Sequence, residues 1–395
     1  MIRRSMTLVL LACIPIFAIT LKQAKYLALK NAASINMIKE SIGIQSINIA
    51  KQKRYFQQNP ELSSGFTANE STQNTYQISI SQRFNLGNQS YFLKNIALKS
   101  YEIQNIRLAQ AKRDISAQIE NIFISTWADK EKILLINKIL SYEQKVKKDI
   151  LKRVKLGLSP KSDTLPILLD LAKYKAQESN LKYNIQVKRL HLEQFIKKNI
   201  QTINTSFKKN FAPLNQKDIK PKIDHIYPVV IINKKIQKMR YKLDKLQSSK
   251  NLPYINVNAG YSKDAGENKY SIGFSIPLNI FNKKAQNISI VLKKISRLSF
   301  QRSKIKNKIL SNLFAKYKII ESLESSRNIY KKKILPSLRI YLNNTKIRYE
   351  NGEIPIEVFE SAVQKYVQTN ISYINFEKDI LKNKIEITKT IGENL

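Results

Sequence analysis

Two segments of the chain alternate between apolar and polar residues, and they resemble each other. The first runs from Tyr76 to Asn88 (YQISISQRFNLGN) and the second from Tyr270 to Asn282 (YSIGFSIPLNIFN). A period of two predicts a β-strand in each segment. A shorter alternating run precedes each copy, from Leu62 to Asn69 and from Ile255 to Tyr261. The pattern therefore predicts two pairs of strands.

The polar face of these strands carries small, uncharged side chains apart from Arg83, and Gln82 is the one break in the alternation of the first copy. Such strands suit a membrane barrel with one face toward lipid and the other toward a wet lumen. For one strand taken alone, an edge hairpin on a soluble core is the favoured interpretation. The residues predicted to face lipid are Tyr76, Ile78, Ile80, Ile255, Val257, Tyr270, Ile272, Phe274 and Ile276. Strands of about ten residues can cross a bilayer, but the smallest membrane barrels use eight strands. Each protomer can then supply only part of a barrel wall, which predicts an oligomer.

Between the strands, apolar residues recur at helical spacing. Thr20 is a predicted N-cap for a helix from Leu21 to about Phe56. A segment from near Ser90 to about Leu156 contains no Gly or Pro, and as one helix it would be roughly 100 Å long. Its apolar spacing is typical of a coiled-coil seam and equally of a helix in a bundle. A returning helix is predicted from about Thr164 to Lys208.

The same order of elements recurs in the second half. A helix from Pro228 to about Ser249, the second strand pair and a helix from about Lys283 to Tyr349 are followed by a returning helix from Glu357 to about Thr390. Pro336 is expected to kink the long helix. Matching landmarks, such as Pro60 with Pro253 and Gly157 with Gly352, are separated by 193 to 195 residues, which predicts an internal duplication. The predicted domains are a first repeat at 19–208, a connector at 209–227, a second repeat at 228–390 and a tail at 391–395.

Each long helix is predicted to end in a tip turn. Glycine permits a tight reversal because it adopts positive φ. The predicted docking tips consist of Gly157, Leu158, Ser159, Gly352, Glu353 and Ile354. We expect Leu158 and Ile354 to be exposed apolar side chains at equivalent places in the two halves.

Residues 1–18 form a predicted secretory signal peptide, with Arg3 and Arg4 before an apolar run too short to span a bilayer. Two processing routes are open. Cleavage after Ala18 is the favoured one, whereas the sequence around Cys13 resembles a lipobox and would make Cys13 a lipidated N-terminus.

The composition adds a formal charge of +40, with one Cys, two His and one Trp. The lysines are scattered along helices and form no basic block, so the charge does not by itself indicate a nucleic-acid partner. Neither His191 nor His225 has a second ligand at metal spacing, and no catalytic or nucleotide-binding motif is present. The sequence thus indicates a protein that is not an enzyme, with no metal and no cofactor, and in which Trp127 is a packing or interface residue.

Four motifs together resemble the TolC-like family of outer membrane efflux proteins. They are ITLKQAKYLALKN from Ile19 to Asn31, LPYINVNAGY from Leu252 to Tyr261, YSIGFSIPLNIF from Tyr270 to Phe281, and the tips around Gly157 and Gly352. The resemblance covers essentially the whole mature chain. The second tip departs from the family pattern, because Glu353 follows its glycine, and the strongly basic charge is unusual for the family.

The resemblance implies a mixed α and β fold in a homotrimer. Long helical hairpins would form a periplasmic α-barrel, and each protomer would give four strands to one transmembrane β-barrel in the outer membrane of a Gram-negative bacterium. It implies a passive exit duct of a tripartite efflux or type I secretion system, with a periplasmic adaptor protein and an inner membrane transporter as partners and outer membrane lipid around the barrel. The alternative is a secreted or surface-attached basic coiled-coil structural protein that binds anionic polymers, as the charge favours.

Overall fold

The computed structural model describes residues 18–54, 58–68, 74–206, 219–250, 252–264, 266–279 and 284–392. Most of these residues are helical. The α-helices are α1 (Leu21–Asn31), α2 (Ala33–Gln52), α3 (Gln89–Lys155), α4 (Thr164–Ile196), α5 (Ile219–Lys222), α6 (Tyr227–Ser248), α7 (Ala285–Ile329), α8 (Leu335–Glu350) and α9 (Ile356–Ile391). The predicted long helix of the first half is confirmed as one uninterrupted helix of 67 residues. None of the helices in the described part of the chain is both long enough and apolar enough to cross a membrane.

Six strands complete the described structure. They are β1 (Ala18–Ile19), β2 (Glu61–Thr67), β3 (Thr75–Asn85), β4 (Thr202–Ile203), β5 (Tyr254–Asp264) and β6 (Glu267–Ser275). The four longer strands form one antiparallel sheet in the order β2-β3-β5-β6, and the two short strands pair in parallel. The two predicted strand pairs thus meet along β3 and β5, so that strands from both halves of the sequence share one sheet.

The first helix begins as predicted and ends earlier. Thr20 Oγ1 accepts a hydrogen bond from the Gln23 backbone N–H, and Gln23 Oε1 accepts one from the Thr20 backbone N–H, which together make a capping box. The predicted single helix to Phe56 is wrong, because Ala32 adopts an extended conformation (ψ 121°) that separates α1 from α2. α2 ends at Gln52, and Phe56 lies outside the described residues.

The returning helix of the first half is also shorter than predicted. α4 ends at Ile196, not near Lys208, because Lys197 adopts a left-handed conformation with φ 52°. Glu193 Oε1 then accepts a hydrogen bond from the Ile200 backbone N–H at 2.9 Å, which stabilises the turn. The chain continues into β4, where Thr202 and Ile203 pair with Ala18 and Ile19.

The long helix of the second half carries a local change of winding next to its proline. Residues Tyr330–Ile334 form a π-helical turn between α7 and α8, and Pro336 lies in the first turn of α8. Proline has no backbone N–H and clashes with the carbonyl four residues earlier. A π turn at this place accommodates both effects.

The described chain forms two compact units, each of which takes segments from both predicted repeats. One unit draws its residues from 1–32, 112–216 and 313–395, and the other from 33–111 and 217–312. The first, which we call the helical unit, has a buried core contributed by α3, α4 and α9. Its members are Ile136, Ile139, Leu140, Val146, Ile150, Ile167, Leu171, Tyr174, Ile356, Phe359, Val363 and Val367. Trp127 packs in a second cluster with Ile124, Leu381 and Ile385, which confirms it as a packing residue. The second, the sheet unit, contains the four-stranded sheet, helices α2, α5 and α6, and parts of α3 and α7.

Candidate functional site

The four-stranded sheet of the sheet unit collects apolar side chains on one face. Residues opposite each other in an antiparallel pair point to the same face. Ile80 pairs with Leu62 and Ala259, and Ala259 pairs with Ile272, so this row crosses all four strands. The pairing of neighbouring rows places the predicted lipid-facing residues of β3, β5 and β6 on this one face: Tyr76, Ile78, Ile80, Ile255, Val257, Tyr270, Ile272 and Phe274.

This apolar face is open on β6 and partly covered on β5. Tyr270, Ile272 and Phe274 are 81%, 82% and 75% exposed, whereas Ile255 and Val257 are half-buried. Sheets of soluble domains normally cover such a face with other elements. Here the exposed row of large apolar side chains is the feature of the sheet that requires a partner surface.

One predicted detail of the strands needs correction, and another is confirmed. β6 ends at Ser275, because Pro277 cannot donate a ladder hydrogen bond, and Ile276 therefore lies outside the strand while remaining exposed. Gln82, the break in the alternation, lies on the apolar face opposite Val257. Its side-chain Nε2 donates to the backbone carbonyl oxygens of Gln58 and Arg83, both at 3.1 Å, so its polar group is bonded locally.

Aromatic rings mark the turn end of the apolar face. The Phe66 and Tyr76 ring centroids are 5.2 Å apart, and those of Tyr261 and Tyr270 are 5.4 Å apart. Beyond them lies an ion pair in which Lys269 Nζ is 2.8 Å from Asp264 Oδ2. A belt of aromatic residues followed by charged ones is typical of a strand end at a membrane–water interface.

The opposite face of the sheet is polar and built from small residues. The Ser63 and Ser79 hydroxyl oxygens are 2.8 Å apart, and the same row continues across Gly260 to Ser271. A Cβ at Gly260 would be 2.9 Å from the Ser271 hydroxyl oxygen, so a larger residue there would require the Ser271 side chain to move. The sheet is thus amphipathic, as the sequence predicted.

The two tips of the helical unit have the same backbone geometry. At the end of α3, Gly157 adopts φ 72°, and the backbone N–H of Leu158 donates to the Arg153 carbonyl oxygen at 2.8 Å. At the end of α8, Gly352 adopts φ 77°, and the backbone N–H of Glu353 donates to the Arg348 carbonyl oxygen at 2.9 Å. Both are Schellman motifs, in which a left-handed glycine ends the helix.

This geometry corrects one expectation about the tips. Glu353, not Ile354, occupies the place of Leu158, and Ile354 corresponds to Ser159. Leu158 is 72% exposed as expected, whereas Ile354 is half-buried. Glu353 is held by the Arg348 guanidinium at 3.3 Å. One tip therefore presents an apolar side chain where the other presents a carboxylate.

The two tips lie side by side. The Arg153 guanidinium at the first tip donates to the Glu350 carbonyl oxygen at 2.8 Å and lies 5.5 Å from the centre of the Tyr349 ring at the second tip. The Tyr349 ring stacks on Phe359 of the buried core, with centroids 5.4 Å apart. These contacts join the two tips into one pair.

Several solved membrane channels match this chain along almost their whole length. CusC, described in connection with transmembrane channel formation, matches with a TM-score of 0.81 and 12% identity over 95% of this chain and 92% of its own. The CmeC outer membrane channel of Campylobacter jejuni matches with a TM-score of 0.78 and 12% identity over 94% of this chain and 85% of its own. The outer membrane protein VceC of Vibrio cholerae matches with a TM-score of 0.78 and 13% identity over 95% of this chain and 96% of its own. The chain has the TolC-like fold. No protein-family model and no curated protein sequence matches it.

Within this TolC-like fold, the core near the tips contains three carboxyl groups that the sequence analysis missed. Glu143 on α3, Asp170 on α4 and Glu360 on α9 are 0%, 5% and 3% exposed. Gln364 Nε2 donates to both carboxylate oxygens of Asp170 at 3.0 Å. The carboxyl oxygens of Glu143 and Glu360 and the Tyr174 hydroxyl are buried without a hydrogen-bond partner among the described residues. We call these three acidic residues the acidic cluster.

Burial and neighbouring negative charge favour the protonated forms of Glu143 and Glu360. Burial, opposed by the proximity of Glu360 and reinforced by the negative charge of Asp170, raises the pKa of Glu143 to about 7. Burial and the charge of Glu143 raise the pKa of Glu360 more strongly still. A buried carboxyl without a cationic partner is far less costly when protonated. Glu143 and Glu360 are therefore largely uncharged at acidic pH and ionise as the pH rises.

The remaining candidate residues take no part in a site of the described structure. His191 and His225 are exposed, and the described ranges contain no group of three His, Cys, Asp or Glu side chains arranged to hold a metal ion. Cys13 and the predicted leader up to Phe17 lie outside the described residues.

Proposed function

We propose that the protein is an outer membrane exit duct that works passively, as a homotrimer, in an efflux or type I secretion system. The observation that carries the proposal is the open four-stranded sheet whose apolar face is exposed. The match to solved outer membrane channels over nearly the full chain supports it. The duct would lie in the outer membrane of a Gram-negative bacterium, with its helices in the periplasm.

The two edges of the sheet support a trimer. In lipid, every backbone polar group needs a partner, so an open sheet edge cannot be tolerated. β2 and β6 are the edge strands of the described sheet, and their residues are almost all exposed. Three protomers joined edge to edge would close a barrel of twelve strands without a free edge. The apolar face would then contact lipid, and the polar face would line the lumen.

The alternative, a basic structural protein that binds anionic polymers, does not account for this sheet. Such a protein has no need of an exposed apolar face rimmed by aromatic rings. Cell fractionation separates the two functions. A duct remains in the outer membrane after a high-salt wash and migrates as a trimer in mild detergent, whereas the structural protein is released by salt.

A pair of substitutions on β6 tests the lipid face directly. Ile272→Arg should reduce the amount of trimer in the outer membrane, because a guanidinium facing lipid costs about 2–4 kcal/mol near the bilayer centre. Ser271→Arg is the matched control on the neighbouring residue of the opposite, polar face. The measurement is the trimer band of outer membrane fractions. Equal loss of trimer in both variants, or in neither, would contradict the assigned faces.

We further propose that the paired tips dock a periplasmic adaptor protein, which connects the duct to an inner membrane transporter. Leu158 is the exposed apolar side chain of this surface. Leu158→Lys should abolish export while the trimer and its bilayer conductance survive, because an unpaired charge cannot be buried in an apolar contact. Leu158→Met keeps an apolar tip and should export normally. Normal export by Leu158→Lys at normal expression would exclude docking through this residue.

A further inference from the structure

A cavity of about 370 Å³ opens between four helices of the sheet unit: α2, α3, α6 and α7. Five cationic side chains line it, namely Arg107, Lys235, Lys238, Lys294 and Arg297. They come from three different helices, so the cavity brings together charges that are far apart in the sequence. We call this the basic cavity.

The charges around the basic cavity are not neutralised within the described chain. No carboxylate of the described residues lines the cavity. None of its five cationic side chains has an ion pair or a hydrogen bond to another described residue. The neighbouring Lys234 shows the contrast, because its Nζ is 2.7 Å from Glu102 Oε2. The lysine on the cavity side of the same helix turn, Lys235, has no such partner.

Five like charges around one space repel each other, and an anion in that space would relieve the repulsion. Burial, with the charge of Lys242, lowers the pKa of Lys238, as expected for a lysine that lacks a counter-ion. We propose that the basic cavity is a binding site for small organic anions that carry two or more carboxylate or phosphate groups.

The shape and lining of the basic cavity define this ligand class. A volume of 370 Å³ falls in the lower range of small-molecule sites and is too small for a folded polymer. The two arginines can hold carboxylate or phosphate oxygens in bidentate fashion. Ile103, Met239 and Leu298 add an apolar part to the lining. A compact organic body with several anionic groups satisfies both kinds of surface.

The position of the basic cavity favours a free anion over a lipid headgroup. At 1.5 Å per residue, Ser100 lies about 16 Å along α3 from its first residue, Gln89, and Arg107 lies further still. Gln89 follows the end of β3 by four residues. A headgroup at the end of the strands would therefore not reach these side chains.

Titration calorimetry of the purified full-length protein in mild detergent tests the site. The probe is benzene-1,3,5-tricarboxylate at low ionic strength, and benzene-1,3,5-tricarboxamide is its neutral counterpart. We expect saturable binding of one tricarboxylate per chain and no binding of the triamide. Lys238→Gln with Arg297→Gln should weaken binding at least about tenfold, because each removes a charge-assisted hydrogen bond.

A matched double variant controls for overall charge. Arg240→Gln with Lys293→Gln removes two cations from the same two helices, α6 and α7, at positions that do not line the cavity. Its affinity should stay within about twofold of the unchanged protein. Absence of saturable binding, binding of the triamide, or equal weakening by both double variants would overturn the proposal. The assay requires no transport, so its result is independent of the function as an exit duct.

Discussion

The acidic cluster of the helical unit and the basic cavity of the sheet unit both gather like charges, but the protein surrounds them differently. Glu143 and Glu360 are enclosed in an apolar core, and their carboxyl oxygens have no hydrogen-bond partner among the described residues. The cations of the basic cavity lie around an open space, and Arg107, Lys294 and Arg297 are exposed. Acids are enclosed in one unit, and bases remain in contact with solvent in the other.

The chemistry of the two groups explains the difference. A buried carboxyl group can take up a proton at an accessible pH and become neutral, so that burial costs little at acidic pH. A guanidinium cannot lose its proton in a protein, and a lysine loses it only when strongly desolvated. Clustered bases must therefore stay hydrated or bind a counter-ion. Cations are abundant in a chain with a formal charge of +40, yet neither Glu143 nor Glu360 has a hydrogen-bond partner among the described residues.

The largest expected effect is a loss of helical stability with rising pH. The pKa of Glu143 is raised to about 7 in the folded protein, so its contribution is fully present below the ordinary carboxyl pKa of about 4.5 and is lost as the pH rises through 7. For Glu143 alone, the loss in the free energy of unfolding is about 3 kcal/mol. Glu360 extends this loss to higher pH. Thermal unfolding followed by circular dichroism between about pH 5 and pH 9 measures it.

A carboxylate that is paired with lysines has the opposite effect on how stability depends on pH, and Glu102 provides this comparison within the same protein. Burial alone would raise the pKa of Glu102, but hydrogen bonds from Lys234 and Lys99 lower it below its ordinary value. Its contribution is present above the ordinary carboxyl pKa and is lost only as the pH falls through the lowered one. An unfolding temperature that stays constant or rises from pH 5 to pH 9 would contradict the raised pKa values of Glu143 and Glu360.

Replacing one acid of the cluster should remove part of this pH dependence. Glu143→Gln has nearly the same shape and cannot ionise, so we expect it to stabilise the protein by about 1–3 kcal/mol above pH 7 and to change little in acid. Asp149→Asn removes an exposed carboxylate from the same helix and serves as the control, with an effect of about 0.5 kcal/mol or less. If both variants stabilise equally at high pH, the effect is one of net charge and not of burial.

The sequence was sufficient for the features that depend on local pattern. Alternation predicted the faces of β3, β5 and β6, because the side chains of a strand point to opposite faces in turn. The absence of Gly and Pro predicted α3, and the glycines predicted both tips. Local pattern was insufficient where a single backbone conformation decides the outcome. The extended Ala32 and the left-handed Lys197 shorten two predicted helices, although neither residue type is a helix breaker.

The two charged clusters were missed for different reasons. Glu143 continues the apolar stripe formed by Ile136, Leu140, Val146 and Ile150, so an acid at a core position was a readable signal. The basic cavity left no comparable signal, because its lysines and arginines lie on helices rich in such residues and only tertiary packing selects five of them. In the same way, Glu353 followed the tip glycine in the sequence, but its equivalence to Leu158 became clear only from the hydrogen bonds of the two turns.

The smallest expected effect is the removal of one cation from the basic cavity. Lys238→Gln should change the free energy of unfolding by about 0.5 kcal/mol or less, because the side chain is half-buried and has no carboxylate to lose. Any change should be toward greater stability at neutral pH, since the lowered pKa of Lys238 means that its charged form is disfavoured in the folded protein.

Lys234→Gln is the comparison, because it removes the lysine that pairs with Glu102 and should destabilise the protein. Unfolding temperatures at low ionic strength measure both variants. A marked destabilisation by Lys238→Gln would indicate that this lysine has an anionic partner already, and that the basic cavity does not have room for another.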